Sequence, residues 1–189
     1  MKLAVFASGT GSNFEAIFSA IQRGALQAEI VLVVCDKPSA KVADSARRKG
    51  VSTFVFAAKD YPSKEAYETT IAEHLESVGA DWLVLAGYMR LIGKTLLDKY
   101  PGRILNIHPS LLPKYKGKDA LGQALAQGDM LLGASVHYVD ETLDGGTIIK
   151  QVSFSRTEGE IRTAIEQRLH HVEHELYLAV LQELSKEAQ

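Results

Sequence analysis

This chain of 189 residues has a single cysteine, no long apolar run and nearly balanced charge. Its one cysteine, Cys35, excludes an internal disulfide framework and a cysteine-rich metal site, and the apolar run at 31–35 indicates that its side chain is buried. No apolar run reaches the roughly 18–20 residues that a membrane-spanning helix needs. The net charge of −2 gives no general attraction to nucleic acid or to an anionic membrane.

The amino-terminal residues lack the features of a targeting segment. Residues 1–7 are too short for the core of a signal peptide and lead directly into a glycine-rich loop. We therefore expect a soluble, cytoplasmic protein. With 46% hydrophobic residues and no internal repeat or linker, the chain is expected to form one domain over residues 1–189.

Apolar segments alternate with amphipathic segments, which is typical of a doubly wound, mostly parallel α/β sheet with helices on both faces. In the first half the predicted strands are 2–7, 29–35, 53–56 and 82–86, and the predicted helices are 12–23, 39–49 and 63–78. After a strand at 103–108, the pattern predicts a helix at 120–127, strands at 134–139 and 147–155, and a terminal helix at 158–185.

The loop before the first predicted helix is rich in glycine. Glycines let the backbone approach a ligand closely, and the helix amino terminus offers free N–H groups and a partial positive charge. A phosphate therefore fits at Gly11, Ser12 and Asn13, although the loop is open to interpretation as a purely structural turn. The dinucleotide-binding pattern is incomplete because Phe14 replaces its third glycine, while Asp36 stands where a ribose contact is expected.

The strongest indication of chemistry is the pair Asn106 and His108 at the end of a predicted strand. Residues two apart on a strand point to the same face, and Pro109 ends the strand at the sheet edge where open α/β sheets bind ligands. Asp144 follows on a later glycine-containing loop. An amide and an imidazolium can both stabilise a developing oxyanion, and a carboxylate can orient the imidazole, so this group favours acyl-group chemistry.

Two other segments have more than one interpretation. Met89 and Arg90, after the fourth predicted strand, are able to line a pocket for a flat heterocycle, or they belong to the core and the solvated surface respectively. His170 and His174 have the i, i+4 spacing of metal ligands, but no third ligand is evident and we expect a solvated helix face. The Leu112–Pro113 bond is a candidate cis peptide.

These motifs resemble those of the glycinamide ribonucleotide formyltransferase family, which uses folate in purine biosynthesis. The most specific similarity lies at residues 105–115 and 143–146, and it extends along nearly the whole chain. The resemblance implies a formyltransferase-like variant of the Rossmann fold, in which Asn106, His108 and Asp144 are catalytic. It also implies 10-formyltetrahydrofolate as the co-substrate that donates the formyl group, and no metal.

The resemblance further implies two substrate sites. The acceptor, glycinamide ribonucleotide, is expected to bind by its phosphate at Gly11, Ser12 and Asn13 and by its ribose at Glu173. The formyl folate is expected at Lys64, Met89, Arg90, Leu91, Ile92, Asn106, Asp140 and Leu143, with Lys64 near its glutamate tail. The amino-terminal half would then hold the ribonucleotide phosphate, and the carboxyl-terminal half the folate and the catalytic group. The implied partners are small molecules only, with no nucleic acid or membrane, and the protein would be a monomer or a homodimer.

The sequence departs from the family at two positions: Lys64 stands where the family can carry Arg, and Asp119 where histidine is usual. Four alternative functions remain open. Formyltetrahydrofolate hydrolase and methionyl-tRNA formyltransferase use a similar catalytic group, but each normally carries a further domain that this sequence does not show. A ligand-binding protein without activity and a nicotinamide-dependent oxidoreductase, the latter resting on Asp36, are the other two.

Overall fold

The computed structural model describes residues 1–187. Its strands are β1 (Lys2–Ala7), β2 (Glu29–Cys35), β3 (Thr53–Val55), β4 (Trp82–Leu85), β5 (Ile104–His108), β6 (Leu131–Tyr138) and β7 (Ile148–Ser155). They form one seven-stranded sheet in the order β3-β2-β1-β4-β5-β6-β7. The first five strands are parallel, whereas β6 and β7 pair antiparallel to their neighbours. The predicted mostly parallel α/β sheet is confirmed.

The helices are α1 (Ser12–Gln22), α2 (Lys41–Arg48), α3 (Lys64–Val78), α4 (Lys94–Lys99), α5 (Ala120–Ala126) and α6 (Arg162–Glu187), with a 3-10 turn at Ala58–Asp60. The predicted strands at 2–7 and 29–35 match β1 and β2, and most predicted helix ends differ from the observed ones by one or two residues. Helix α6 begins four residues later than predicted, because residues 158–159 form a turn and residues 160–161 are irregular. Helix α4 was not predicted, since its six residues are too few to establish a helical period.

Strand β6 begins three residues earlier than the sequence predicts. Gly133 lies inside this strand, and a Cβ there would stand 2.2 Å from the carbonyl oxygen of Val152 in β7. The close approach of the two strands therefore requires glycine at this position, and the glycine does not end the strand.

The core lies on both faces of the sheet, because the central strands are covered by helices on either side. In β1, Leu3 and Val5 belong to a core cluster that includes apolar residues of α1, α2, α5 and α6, whereas Ala4 and Phe6 belong to a second cluster with residues of α3 and α4. Both faces are apolar, so β1 is a continuous hydrophobic run without alternation, as expected for a buried parallel strand. No helix among residues 1–187 is long and apolar enough to cross a membrane.

Helix α6 is fixed against the middle of the sheet by Tyr177. This side chain is fully buried, and its hydroxyl oxygen lies 3.0 Å and 3.1 Å from the carbonyl oxygens of Leu85 and Leu105. Leu85 is the last residue of β4, and Leu105 is the second residue of β5. Glu173 precedes Tyr177 by one helical turn and therefore lies on the same side of α6.

Candidate active site

Three polar side chains identified in the sequence converge at the carboxyl end of β5. His108 is the last residue of this strand and is only 5% exposed. Asp144 comes from the loop between β6 and β7, and its Oδ2 lies 3.4 Å from Nδ1 of His108. Its Oδ1 lies 3.8 Å from Nε2 of His137, and that same nitrogen is 3.2 Å from the amide nitrogen of Asn106. The arrangement thus joins an amide, two imidazoles and a carboxylate.

The second ring nitrogen of His108 is held by the loop that follows β5. Its Nε2 lies 2.8 Å from the carbonyl oxygen of Tyr115. Tyr115 adopts a left-handed backbone conformation, with φ of 58°, which is uncommon for a residue other than glycine. Both ring nitrogens of His108 therefore face oxygen acceptors, and the doubly protonated imidazolium is the form that donates to both.

Asp144 is fixed by the backbone on its other side. The N–H of Gly117 donates to Asp144 Oδ2 over 2.8 Å, and the carboxylate side chain is only 10% exposed. Asp144 also has a left-handed backbone, with φ of 47°. Such conformations persist where surrounding contacts determine them, and they cluster at functional sites. The loops on either side of the site are thereby linked through one carboxylate.

His137 is a site residue that the sequence argument missed. Antiparallel pairing places it opposite Asn106, on the neighbouring strand β6. Its Nδ1 lies 2.8 Å from the carbonyl oxygen of Tyr138, so Nδ1 carries the proton and Nε2 accepts from the Asn106 amide. Burial lowers the pKa of His137 and so favours this neutral form. The only sequence signal was a histidine in a predicted strand, which acquires meaning once the strand register is known.

The glycine-rich loop lies before α1, as predicted. Gly11 has φ of 83°, and a Cβ at this position would lie 2.5 Å from Cγ2 of Val42. Helix α1 begins at Ser12 without a side-chain cap, so its first backbone N–H groups are available to an anion. Among the residues that the structure describes, Oδ1 of Asn13 is a buried oxygen without a hydrogen-bond partner.

Glu173 is a buried carboxylate on α6, which packs against α1. It is 7% exposed, and burial raises its pKa to about 7. Glu173 is therefore not a solvated surface charge. A carboxylate kept in such surroundings is a candidate for ligand binding.

Asp36 does not have the role that a nicotinamide-dependent enzyme would require. Its Oδ1 accepts a hydrogen bond from the hydroxyl of Ser8, and its Oδ2 lies 2.8 Å from Nε of Arg90. Both oxygens are thus engaged within the protein, and the side chain is only 2% exposed. The oxidoreductase alternative loses its ribose contact.

The segment after β4 presents apolar side chains beside the site. Met89 and Leu91 are 67% and 60% exposed, and Leu143 on the loop that carries Asp144 is 49% exposed. These apolar side chains are accessible to a ligand. Ile92, in contrast, packs in the core, and the guanidinium of Arg90 is turned toward Asp36.

Asp140 and Lys64 complete the set of residues expected at the folate site. Asp140 Oδ1 accepts from the hydroxyl and, over 2.8 Å, from the N–H of Thr142, and these bonds lower the pKa of Asp140. Lys64 is the first residue of α3, and its Nζ lies 4.0 Å from the buried carboxylate of Glu68. Its side chain is 43% exposed, so the ammonium remains accessible to an anion.

Asp119 has a structural role in place of the usual histidine. It is the N-cap of α5, where its side chain accepts from the N–H of Gly122 over 3.2 Å. The same carboxylate lies 2.7 Å from Nη2 of Arg162 at the start of α6. Asp119 is exposed, and its contacts join the beginnings of two helices.

A mostly apolar pocket of about 460 Å³ lies behind the loop after β5. Its walls include Leu111, Tyr115, Leu121 and Leu131, but none of Asn106, His108 and Asp144. We assign the site from the convergence of polar groups, because those groups carry the chemistry and the pocket does not contain them. Within residues 1–187, no group of three or more His, Cys, Asp or Glu side chains is placed to hold a metal ion.

The fold and the site together define a Rossmann-like α/β protein with an amide, imidazole and carboxylate group suited to acyl transfer. The chain belongs to the formyl transferase family, whose sequence model matches residues 1–181. This match confirms the resemblance detected in the sequence.

Named relatives agree with the family. The phosphoribosylglycinamide formyltransferase of Bacillus subtilis (strain 168) is 48% identical over 97% of this chain and 94% of that protein. The crystal structure of glycinamide ribonucleotide transformylase 1 from Geobacillus kaustophilus superposes with a TM-score of 0.94, at 55% identity and 97% coverage of both chains. The trifunctional purine biosynthetic protein adenosine-3 of Drosophila pseudoobscura pseudoobscura is 39% identical over 92% of this chain, and the match spans 13% of that longer protein.

Proposed function

We propose that this protein transfers the formyl group of 10-formyltetrahydrofolate to the primary amine of glycinamide ribonucleotide in purine biosynthesis. The observation that carries the proposal is the convergence of Asn106, His108 and Asp144 at the carboxyl end of β5. Relatives named for this activity match nearly the full length of the chain. The enzyme is thus a one-carbon group transferase with a folate co-substrate.

The reaction forms a bond from the acceptor's amine nitrogen to the formyl carbon and breaks the bond from that carbon to the folate nitrogen. A proton leaves the amine and one arrives on the folate nitrogen. Negative charge develops on the formyl oxygen in between. Asn106 and the protonated ring of His108 are the donors that stabilise it, and the loss of one such donor typically costs about 2.7–4 kcal/mol of activation energy.

Asp144 orients His108 and stabilises its charged form. The 3.4 Å separation from Nδ1 is long for a hydrogen bond, so Asp144 acts on His108 chiefly as a neighbouring negative charge. His108 is also the group best placed to pass a proton between the two substrate nitrogens, directly or through water. The N–H of Gly117 keeps Asp144 in place during these steps.

The acceptor site consists of the start of α1 and one residue of α6. The backbone N–H groups at Gly11, Ser12 and Asn13 bind the phosphate, with the positive end of the helix dipole beneath it. Glu173 accepts hydrogen bonds from the ribose hydroxyls. The buried Oδ1 of Asn13 has no partner within the described residues and is able to accept a hydrogen bond from an N–H or O–H group of the substrate.

The donor site lies on the other side of the catalytic group. Met89 and Leu91 pack against the pterin, together with Leu143 from the loop that also contains Asp140. Arg90 and Ile92 belong to the same segment and contribute through their backbone. Lys64 interacts with the glutamate tail as a single point charge, where arginine would offer a paired contact.

The experiment that tests this function is an assay of folate deformylation with three acceptors supplied separately: water, glycinamide ribonucleotide and initiator tRNA. Release of tetrahydrofolate that depends on glycinamide ribonucleotide supports the proposal. Equal release with water alone would identify a formyltetrahydrofolate hydrolase. Release that requires tRNA would identify a methionyl-tRNA formyltransferase. Tight folate binding without any release would indicate a ligand-binding protein.

The remaining expectations concern organisation. We propose a single domain whose amino-terminal half holds the ribonucleotide phosphate and whose carboxyl-terminal half holds the folate and the catalytic group. We expect small molecules to be its only substrates, and a monomer or a homodimer in solution, which sedimentation analysis would distinguish. A cytoplasmic location also stays a prediction of the sequence.

A further inference from the structure

A compact set of contacts connects the glycine-rich loop to the exposed segment after β4. The N–H of Ser8 donates to the carbonyl oxygen of Gly87 over 3.1 Å, and the hydroxyl of Ser8 accepts from the N–H of Met89 over 2.9 Å. The same hydroxyl donates to Oδ1 of Asp36. Ser8 thus holds both ends of the turn from Gly87 to Met89.

Asp36 completes the set from the end of β2. Its Oδ2 lies 2.8 Å from Nε of Arg90, and the guanidinium carbon of Arg90 lies 5.7 Å from the centre of the Tyr67 ring. Asp36 is therefore a buried carboxylate whose two oxygens bind the side chains on either side of this turn. Hydrogen bonds between charged groups are stronger than those between neutral groups, and the planar guanidinium of arginine fixes the direction of its N–H donors.

These contacts restrict the segment that presents Met89 and Leu91. The two apolar side chains are exposed and make little contact that would fix their backbone. Gly87, at the start of the turn, has φ of 78°, and glycine adopts this left-handed conformation without a steric penalty. The segment is held by hydrogen bonds to Ser8 and Asp36, neither of which belongs to it, and by the ring of Tyr88, which packs edge-on against Phe6.

We propose that Asp36 and Ser8 are positioning residues for the formyl-donor site: they hold the turn 87–90 in the conformation that receives the folate. This inference rests on the proposed function, since it assigns residues to the donor site of that reaction. Asp36 and Ser8 act through Arg90 and Met89 and do not touch the reacting atoms. Their loss weakens donor binding, because the free segment must then be ordered when the folate binds.

The test is calorimetric titration of the native protein and of Asp36→Asn with 10-formyltetrahydrofolate in the absence of acceptor, together with steady-state kinetics. Asp36→Asn is expected to raise the donor Kd and KM about tenfold, because it removes the charge from one strong hydrogen bond. The value of kcat at saturation with both substrates is expected to stay within about twofold of the native value, since the reacting groups are intact.

Two further variants make the result specific. Asp44→Asn is the matched control, because Asp44 is an exposed carboxylate paired with Arg47 over 3.0 Å, and its donor Kd should be unchanged. In an Arg90→Met background, Asp36→Asn should add much less than its tenfold effect, since the two residues act as one unit. If Asp36→Asn does not fold, Ser8→Ala serves in its place, because it removes one oxygen atom and breaks the bonds to Asp36 and Met89.

The outcomes separate this inference from the proposed function. If the native protein binds the donor and a folded Asp36→Asn or Ser8→Ala binds it equally well, the positioning role is wrong and formyl transfer is unaffected. A reduced melting temperature with an unchanged donor Kd would show that the contacts of Ser8 and Asp36 stabilise the fold and do not position the donor site. If the native protein does not bind 10-formyltetrahydrofolate at all, both proposals fall.

Discussion

The amide nitrogen of Asn106 lies 3.2 Å from Nε2 of His137, directly across the antiparallel pair β5 and β6. His137 donates from Nδ1 to its neighbouring carbonyl at Tyr138, which leaves Nε2 as an acceptor. One of the two amide N–H groups of Asn106 is thus fixed, and the other remains for a substrate oxygen. Because burial lowers the pKa of His137, this contact persists at neutral pH.

Replacement of His137 by phenylalanine should therefore impair catalysis without removing a group that touches the substrate. With its acceptor lost, the Asn106 amide is free to rotate away from the productive geometry, and small displacements of catalytic groups cost about 10- to 100-fold in kcat. The direct loss of a donor in Asn106→Ala is expected to cost about 100- to 1000-fold. Steady-state kcat with both substrates saturating measures each effect.

A double-variant cycle tests whether His137 acts through Asn106. In the Asn106→Ala background, His137→Phe should change kcat by less than about threefold, because the group that it orients has gone. Exposed Gln167 on α6 provides a control, and Gln167→Ala should leave kcat unchanged. Fully multiplicative effects of the two site variants would contradict the orienting role.

Much of the fold follows from local sequence patterns. The buried parallel strands β1 and β2 are continuous apolar runs, and they occur at the predicted positions. The short helix α4 and the full extent of β6 did not follow, because six residues establish no period and Gly133 resembles a break until its neighbour Val152 is known. Those features depend on contacts between elements, which local patterns do not contain.

The site follows the same division. Asn106 and His108 were evident because their spacing and the proline after them are local features. His137 was missed because its role requires the register of β6 against β5, which no nearby residue encodes. Asp36 was interpreted as a possible ribose ligand because its position in the sequence gave no sign of its contacts with Ser8 and Arg90, which lie in the loops after β1 and β4.

The glycine-rich loop allows a sharp comparison between two glycines. In Gly11→Ala, the new Cβ would collide with Val42, and φ of 83° is unfavourable for alanine, so unfolding free energy should fall by about 1–3 kcal/mol. The acceptor KM should rise because the backbone near the phosphate shifts. Gly9→Ala is the control, since no atom lies within 4 Å of a Cβ there. Urea denaturation and acceptor kinetics on both variants provide the measurement, and equal effects at Gly9 and Gly11 would contradict it.

Asp119 should contribute to stability and not to catalysis. Asp119→Ala removes the N-cap of α5, which typically costs about 1 kcal/mol of stability, and leaves alanine in a left-handed conformation. Asp119→Asn keeps an oxygen for the cap and tolerates that conformation, so it should lose less. Thermal unfolding distinguishes the two variants. If Asp119→Asn is fully folded in the assay and its kcat falls, the Asp119 carboxylate takes part in the reaction.

Glu173 gives the protein a pH dependence whose sign can be worked out. Burial raises its pKa from the ordinary 4.5 to about 7 in the folded state. Between these values the folded protein binds more protons than the unfolded chain, so the free energy of unfolding falls as pH rises. The stability that comes from protonated Glu173 in the folded protein is fully present below pH 4.5 and is lost by the time pH exceeds about 7.

Glu173→Gln should therefore stabilise the protein at alkaline pH while it impairs function. The amide has nearly the same shape and carries no charge, so the gain over the native protein should grow from near zero at pH 4.5 to about 3 kcal/mol above pH 7, at 1.36 kcal/mol per pKa unit. The acceptor KM should rise, because the carboxylate that accepts from the ribose hydroxyls is lost. Glu175→Gln, an exposed change two residues further along α6, is the control for both measurements. Urea denaturation at pH 5 and pH 8 measures the free energy of unfolding. If this free energy changes with pH equally in native protein and Glu173→Gln, the Glu173 carboxyl group titrates normally. An unchanged acceptor KM would show that Glu173 does not belong to the ribose site.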